Sequence, residues 1–187
     1  MSVNSNANSR TNQSIIQGVT MVLGDRVNTD IHCSTKYLPG KDNQYVVGCA
    51  FEELSPGFAA RAAAHRQAGQ PIVLLAGADF GINSSREQAA QILKEMGVTV
   101  IVAKSFARAF FRNAMNNGLA LIAAPVANPD DDQQVAVDLM AGQVSAGEQV
   151  IAQGAGLSPV LMQIISAGGL LPLLQQNKGW PDLATTA

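Results

Sequence analysis

The sequence predicts an α/β fold built on a central parallel sheet. Three observations carry that expectation. Three short apolar runs, at residues 72–75, 98–102 and 119–123, are too short for helices and suit strands buried on both faces. Segments with helical patterning separate them, giving strand–helix–strand–helix–strand, which a right-handed parallel crossover accommodates. Finally, 187 residues, 47% of them hydrophobic, are enough for one core and one main domain.

Read in order, residues 1–17 are rich in Asn and Ser and are expected to form a disordered arm; residues 18–178 form the domain and 179–187 a loose tail. Val19, Thr20, Met21, Val22 and Leu23 predict a strand that Gly24 and Asp25 end. Residues 28–48 hold turn formers and little periodicity, which predicts a long irregular segment of the kind that carries function. Pro56 and Gly57 open a helix that runs to Gln67 and is closed by Gly69 and Pro71. After the first apolar run, a loop over 76–83 leads into a helix over 85–96, with Gly97 placed to terminate it.

The β-branched run 98–102 follows, and Ser105 is placed to cap a helix ending near Asn116, Asn117 and Gly118. Beyond Pro125 the pattern changes to a turn at 128–132, hairpin-type strands at 135–139 and 149–151, and a helix over 160–167 stopped by Gly168 and Gly169.

A net charge of −2 argues against a nucleic-acid-binding face. The N-terminal segment has no apolar stretch of the secretory kind, and no run reaches the ~20 residues of a membrane helix, so a cytoplasmic protein is expected. Cys33 and Cys49 lack metal-site spacing and read as ordinary reduced thiols. The two histidines, His32 and His65, have no acidic partner evident nearby in the sequence.

The most informative window is residues 77–88, between a buried strand and a helix, at the sheet edge where open α/β folds bind ligands. Ser84 and Glu87 have the spacing of a capping box, and free amides beyond it would favour an anion. Arg86 in a first helical turn would oppose the helix dipole, which points to a compensating carboxylate. A helix cap with a solvated arginine fits the same spacing. A phosphate loop is disfavoured because no Lys-Ser/Thr pair follows the glycines, and a serine hydrolase because no G-x-S-x-G elbow is present.

Longer patterns decide between them. Phe80-Gly81 with Ser84-Ser85-Arg86-Glu87, then Lys104-Ser105-Phe106-Ala107-Arg108, Phe110, Asn113, Asn116 and Gly118, resemble the swivel domain of the aconitase superfamily. Gly24-Asp25, Thr29-Asp30 and Tyr37-Leu38 match its upstream part, and the Gly168-Gly169-Leu170 ending is similar to the small subunits of isopropylmalate dehydratases. The resemblance implies a three-layer β/β/α swivel domain acting only with a large subunit that holds a [4Fe-4S] cluster; this chain would bind no metal. It implies Ser84 as the base that removes a proton beside the departing hydroxyl. Ser85, Arg86, Asp30 and Lys41 would bind a small di- or tricarboxylic acid, a 2-substituted malate of leucine biosynthesis being the first expectation.

A related hydratase acting on a homoaconitase-, methylcitrate- or dimethylmalate-type acid is the rival, and a non-catalytic anion-binding module the alternative of another class. Isolated copies are expected to be able to self-associate. The chain departs from the family pattern at Ile82, Asn83 and Gln88, where cysteine, glycine and histidine are common, and in the segment from Ile31 to Ser34. Asn83 retains access to the left-handed conformation a glycine would take there.

Overall fold

The computed structural model describes residues 14–33 and 40–180. Seven strands form one mixed sheet in the order β4-β3-β2-β1-β5-β6-β7. They are β1 (Ile15–Val22), β2 (Ile72–Ala76), β3 (Val98–Ala103), β4 (Ala120–Ala123), β5 (Gln134–Asp138), β6 (Gln143–Ala146) and β7 (Gln149–Gln153). Pairing from β1 through β4 is parallel, and pairing from β1 through β5 to β7 is antiparallel. The expected α/β class and parallel centre are present, in one half of the sheet.

β1 joins the halves. Its first part, Ile15 to Val19, pairs with β5, and its second, Val19 to Val22, pairs with β2. A strand that changes partners along its length lets a sheet turn a corner. At the far end, Val126 bridges Ala152, and the Ala127 amide donates to the Ile151 carbonyl. β7 therefore returns to the chain leaving β4, and the sheet folds over itself as two β layers with helices outside. Val135, Val137, Val144 and Ile151 of the antiparallel half join the same buried core as β2 and β3. Buried Thr20 is satisfied at the corner: its hydroxyl donates to the Asp130 carbonyl at 2.6 Å and accepts from the Gln133 amide at 3.0 Å.

Seven helices are described: α1 (Thr29–Cys33), α2 (Asn43–Val47), α3 (Phe58–Gln67), α4 (Gln88–Glu95), α5 (Arg108–Asn116), α6 (Pro159–Ser166) and α7 (Leu170–Asn177). α3, α4 and α5 pack on β2, β3 and β4, while α6 and α7 pack against α5. No described helix is long and apolar enough to cross a membrane.

Several expectations are corrected. Strand β1 begins at Ile15, so the last residues assigned to the arm belong to the sheet; residues 1–13 lie outside the described residues, as do 181–187 of the tail. The segment 28–48 is not irregular throughout, since α1 and α2 lie in it, capped by Asn28 and Asp42. Helix α7 and strand β6 were not anticipated.

Candidate active site

β1, β2 and β3 end on the same edge of the sheet, and the three loops that leave them are hydrogen-bonded to one another. The Arg26 amide donates to the Ala78 carbonyl, and the Asp25 carboxylate accepts from the Ala78 amide, both at 2.6 Å. On the other side, the Lys104 amide donates to the Gly77 carbonyl and the Phe80 amide to the Ser105 carbonyl. Further out, the Gly81 amide donates to the Val27 carbonyl, Asn28 bridges Ile82, and the Ala107 amide donates to the Phe80 carbonyl. The sheet is in effect prolonged past its edge, with the middle loop clamped from both sides.

Beneath this loop, Phe80 stands edge-on to Phe110 (5.2 Å) and Phe106 (6.2 Å), and Phe106 to Phe111 (6.0 Å). Asp79, Gly81 and Asn83 all have positive φ, so the chain makes successive left-handed turns before the serines. Aspartate and asparagine tolerate that conformation better than other non-glycine residues, and Gly81 meets a second demand, close approach to Phe110.

The serines themselves are not at a helix start. α4 begins at Gln88, Ser84 to Arg86 form a non-helical stretch before it, and no side chain caps it. The expected capping box between Ser84 and Glu87 is not formed. The Ser84 Oγ accepts from the Arg86 amide at 3.3 Å instead. Arg86 precedes the helix as well, so it is not a cation in the first turn opposing the helix dipole, as the sequence led one to expect. Its Nε lies 3.7 Å from Oδ1 of Asp30 in α1, and its terminal nitrogens make no hydrogen bond among the described residues. Two residues assigned to the site from sequence, 56 positions apart, are thus brought together.

Ser84 is buried, whereas Ser85 and Arg86 are exposed. The Asn113 side chain of α5 donates to the Ser85 carbonyl at 2.8 Å and fixes the backbone between the serines and the arginine. Asn113 belongs to the motif quoted above, but its partner could not be read from one dimension.

Lys41 stands apart from this group. It is exposed, with its ammonium 4.4 Å from the centre of the Tyr45 ring, and makes no hydrogen bond or ion pair with Asp30, Ser84, Ser85 or Arg86 among the described residues. Its neighbours Tyr37, Leu38 and Pro39 lie outside the described residues. Gln88 is spoken for by α2, since its amide donates to Asn43 at 3.1 Å, and Asn43 donates to Glu95 at 2.9 Å.

Ser105 does not cap α5. Its hydroxyl accepts from the Asp79 amide and donates to the Asp79 carboxylate, stapling two of the site loops. The histidines also find acids that the sequence did not reveal. His65 lies 2.9 Å from Asp132, and His32 lies 3.6 Å from Glu53.

The chain's residues do not fit an iron–sulfur cluster. Of its two cysteines, Cys33 is sealed against α4, its thiol directed at the Ala89 carbonyl, and burial pushes its pKa well above the usual thiol range. Among the described residues no three His, Cys, Asp or Glu side chains are grouped to hold a metal ion.

Comparison with known proteins shows the family. The family model for the aconitase C-terminal domain matches residues 17–126. A 3-isopropylmalate dehydratase small subunit from Saccharolobus islandicus is 38% identical over 164 residues, covering 87% of this chain and 95% of the relative. One from Sulfurisphaera tokodaii is 38% identical over 171 residues, with 88% and 98% covered. The crystal structure of 3-isopropylmalate dehydratase from Methanocaldococcus jannaschii superposes with a TM-score of 0.74 at 30% identity, covering 88% of this chain and 95% of that one. The loops zipped at the sheet edge, the buried serine and these matches make the chain a member of the aconitase C-terminal domain family.

Proposed function

We propose that this chain is the small subunit of a cytoplasmic 3-isopropylmalate-type hydro-lyase, supplying the proton-transfer half of an active site completed by a large subunit. The observation that carries the reading is the placement of Ser84. It is buried beside an exposed Ser85 and Arg86, on a loop clamped from both sides, with its oxygen already accepting a backbone amide.

In the dehydration, Ser84 Oγ takes a proton from the substrate carbon next to the one bearing the hydroxyl. The C–H electron pair becomes the new C=C bond as the C–O bond breaks, and the departing hydroxyl takes up a proton supplied from the partner's side of the site to leave as water; rehydration runs the same steps backwards. A neutral hydroxyl is a weak base, so its deprotonated form must be favoured. The Arg86 amide donates to that oxygen, and the Arg86 charge lies two residues along the chain. Departure of the hydroxyl belongs to the partner, which the family resemblance expects to carry the [4Fe-4S] cluster.

Arg86 offers its terminal nitrogens to a substrate carboxylate while Asp30 holds its Nε edge, and Ser85 supplies a further hydrogen bond. Lys41, exposed over Tyr45, is the cation proposed to meet a second acid group of the substrate. That contact would distinguish 2-isopropylmalate-type acids from homoaconitase- or citrate-type ones.

The test is anaerobic co-expression with the large subunit, cluster reconstitution, and a screen of malate- and citrate-type acids for ultraviolet-absorbing unsaturated product. The expected result is turnover of an alkyl-substituted malate, with Ser84→Ala slowing it by about 10²–10⁴-fold, the range for a lost general base. A Ser84→Ala complex as fast as the unaltered one would overturn the assignment.

A further inference from the structure

A groove runs between α5 and α6 on the same side of the molecule as the site loops, with a volume of about 580 Å³. Phe106, Phe111, Met115 and Leu161 form an apolar floor, and Lys104, Arg108 and Arg112 line it as cations. No carboxylate lines it, and none of the three cations makes an ion pair among the described residues. Elsewhere Arg61 is matched by Asp131 and Arg86 by Asp30. In a chain of net charge −2, this is a local excess of positive charge.

The excess is unfavourable to the isolated chain. Arg108 and Arg112 are four apart on α5, where like charges repel, and Arg108 sits at the positive end of the helix dipole. An opposing negative charge would relieve both. The two arginines also border, with Ser85, an adjoining hollow of about 290 Å³. The groove is therefore continuous with the face on which the partner must complete the site.

Resting on the proposed function, we infer that this groove is a docking seat for the large subunit, taking a segment that carries carboxylates around an apolar anchor side chain. The apolar floor suits a Leu- or Phe-sized anchor and would be unused by a small, fully ionised acid. The cations would steer and orient the approach.

The experiment measures the dissociation constant between this chain and the cluster-loaded large subunit, anaerobically, across a series of salt concentrations. The Arg108→Glu/Arg112→Glu double variant is expected to weaken binding by roughly 100-fold, with a flatter salt dependence than the unaltered chain. The milder Arg108→Gln/Arg112→Gln pair should show an intermediate loss. Phe111→Ala should weaken binding without changing the salt slope, and Lys178→Glu, at the end of α7, should change neither.

Variants that bind as tightly as the unaltered chain, with the same salt slope, would overturn the inference and leave the proposed function standing. So would arginine variants that bind normally but raise KM, which would make the cations a substrate site. An unaltered chain that fails to bind the large subunit at all would overturn both.

Discussion

In the proposed mechanism Arg86 has two tasks that pull on different parts of the residue. Its backbone amide serves Ser84, and its side chain must present an open guanidinium fork to substrate while held at one edge by Asp30. At 3.7 Å, with side chains 51% and 31% exposed, the ion pair contributes at most about 1 kcal/mol to stability after solvent screening. Its value lies in orientation. Asp30→Asn should therefore leave the midpoint of thermal unfolding within about 2 °C, yet raise KM several-fold as the fork loses its alignment. A melt together with steady-state kinetics on the reconstituted complex checks this, and an unchanged KM would remove Asp30 from the site. Cys33 supplies a second residue-scale test. Burial disfavours its thiolate, so a mild thiol reagent at pH 8 should titrate Cys49 alone in the native chain and both thiols after denaturation. Two thiols reacting natively would show that α1 opens readily from α4.

At the scale of elements, the site depends on how tightly the loop after β2 lies on α5. A Cβ at Gly81 would stand 2.3 Å from Cγ of Phe110, at φ +83°. Gly81→Ala should accordingly cost about 2–4 kcal/mol, from overpacking and the left-handed backbone together. Gly24→Ala, where a Cβ would meet nothing within 4 Å, should stay within about 0.5 kcal/mol. Urea unfolding of the two variants separates these outcomes. The same loop shows what a sequence can convey. β2, β3 and β4 were legible because strands buried on both faces are continuous apolar runs. Ser84 and Glu87 misled because a capping box is a spacing, and the spacing survives when the left-handed turn at Asn83 and the bond from Asn113 hold the chain out of the helix. Residues 15–18 were hidden because their partner β5 lies more than 115 residues away. Asp30 and Arg86 were assigned to one site through a family motif, and only the fold gives the ion pair that links them.

At the scale of the whole molecule, the fold places Ser84, Ser85 and Arg86, the proposed proton-transfer and carboxylate-binding groups, on one sheet edge, and no ligand set for a cluster is grouped among the described residues. Ser84 is embedded, but Ser85, Arg86, Arg108 and Arg112 remain exposed. In that state water screens the charges that should act on a developing carbanion and on an alkoxide, and electrostatic stabilisation is weak. A large subunit closing this edge would exclude the water and bring the group that assists hydroxyl departure, so catalysis and assembly should be one event. The isolated chain is therefore expected to give no unsaturated product from an alkyl-substituted malate, even at high protein concentration. Turnover should rise with added large subunit and saturate at the stoichiometry of the complex. Because the partner binds only the folded chain, unfolding should shift upward in parallel, by about 2.7 kcal/mol when free large subunit reaches a hundred times its dissociation constant. Activity and thermal midpoint, measured across one titration, should trace the same curve. Turnover by the isolated chain would mean that the half-site is complete in itself. A thermal shift without activity would mean that the partner docks on a face other than the edge carrying Ser84.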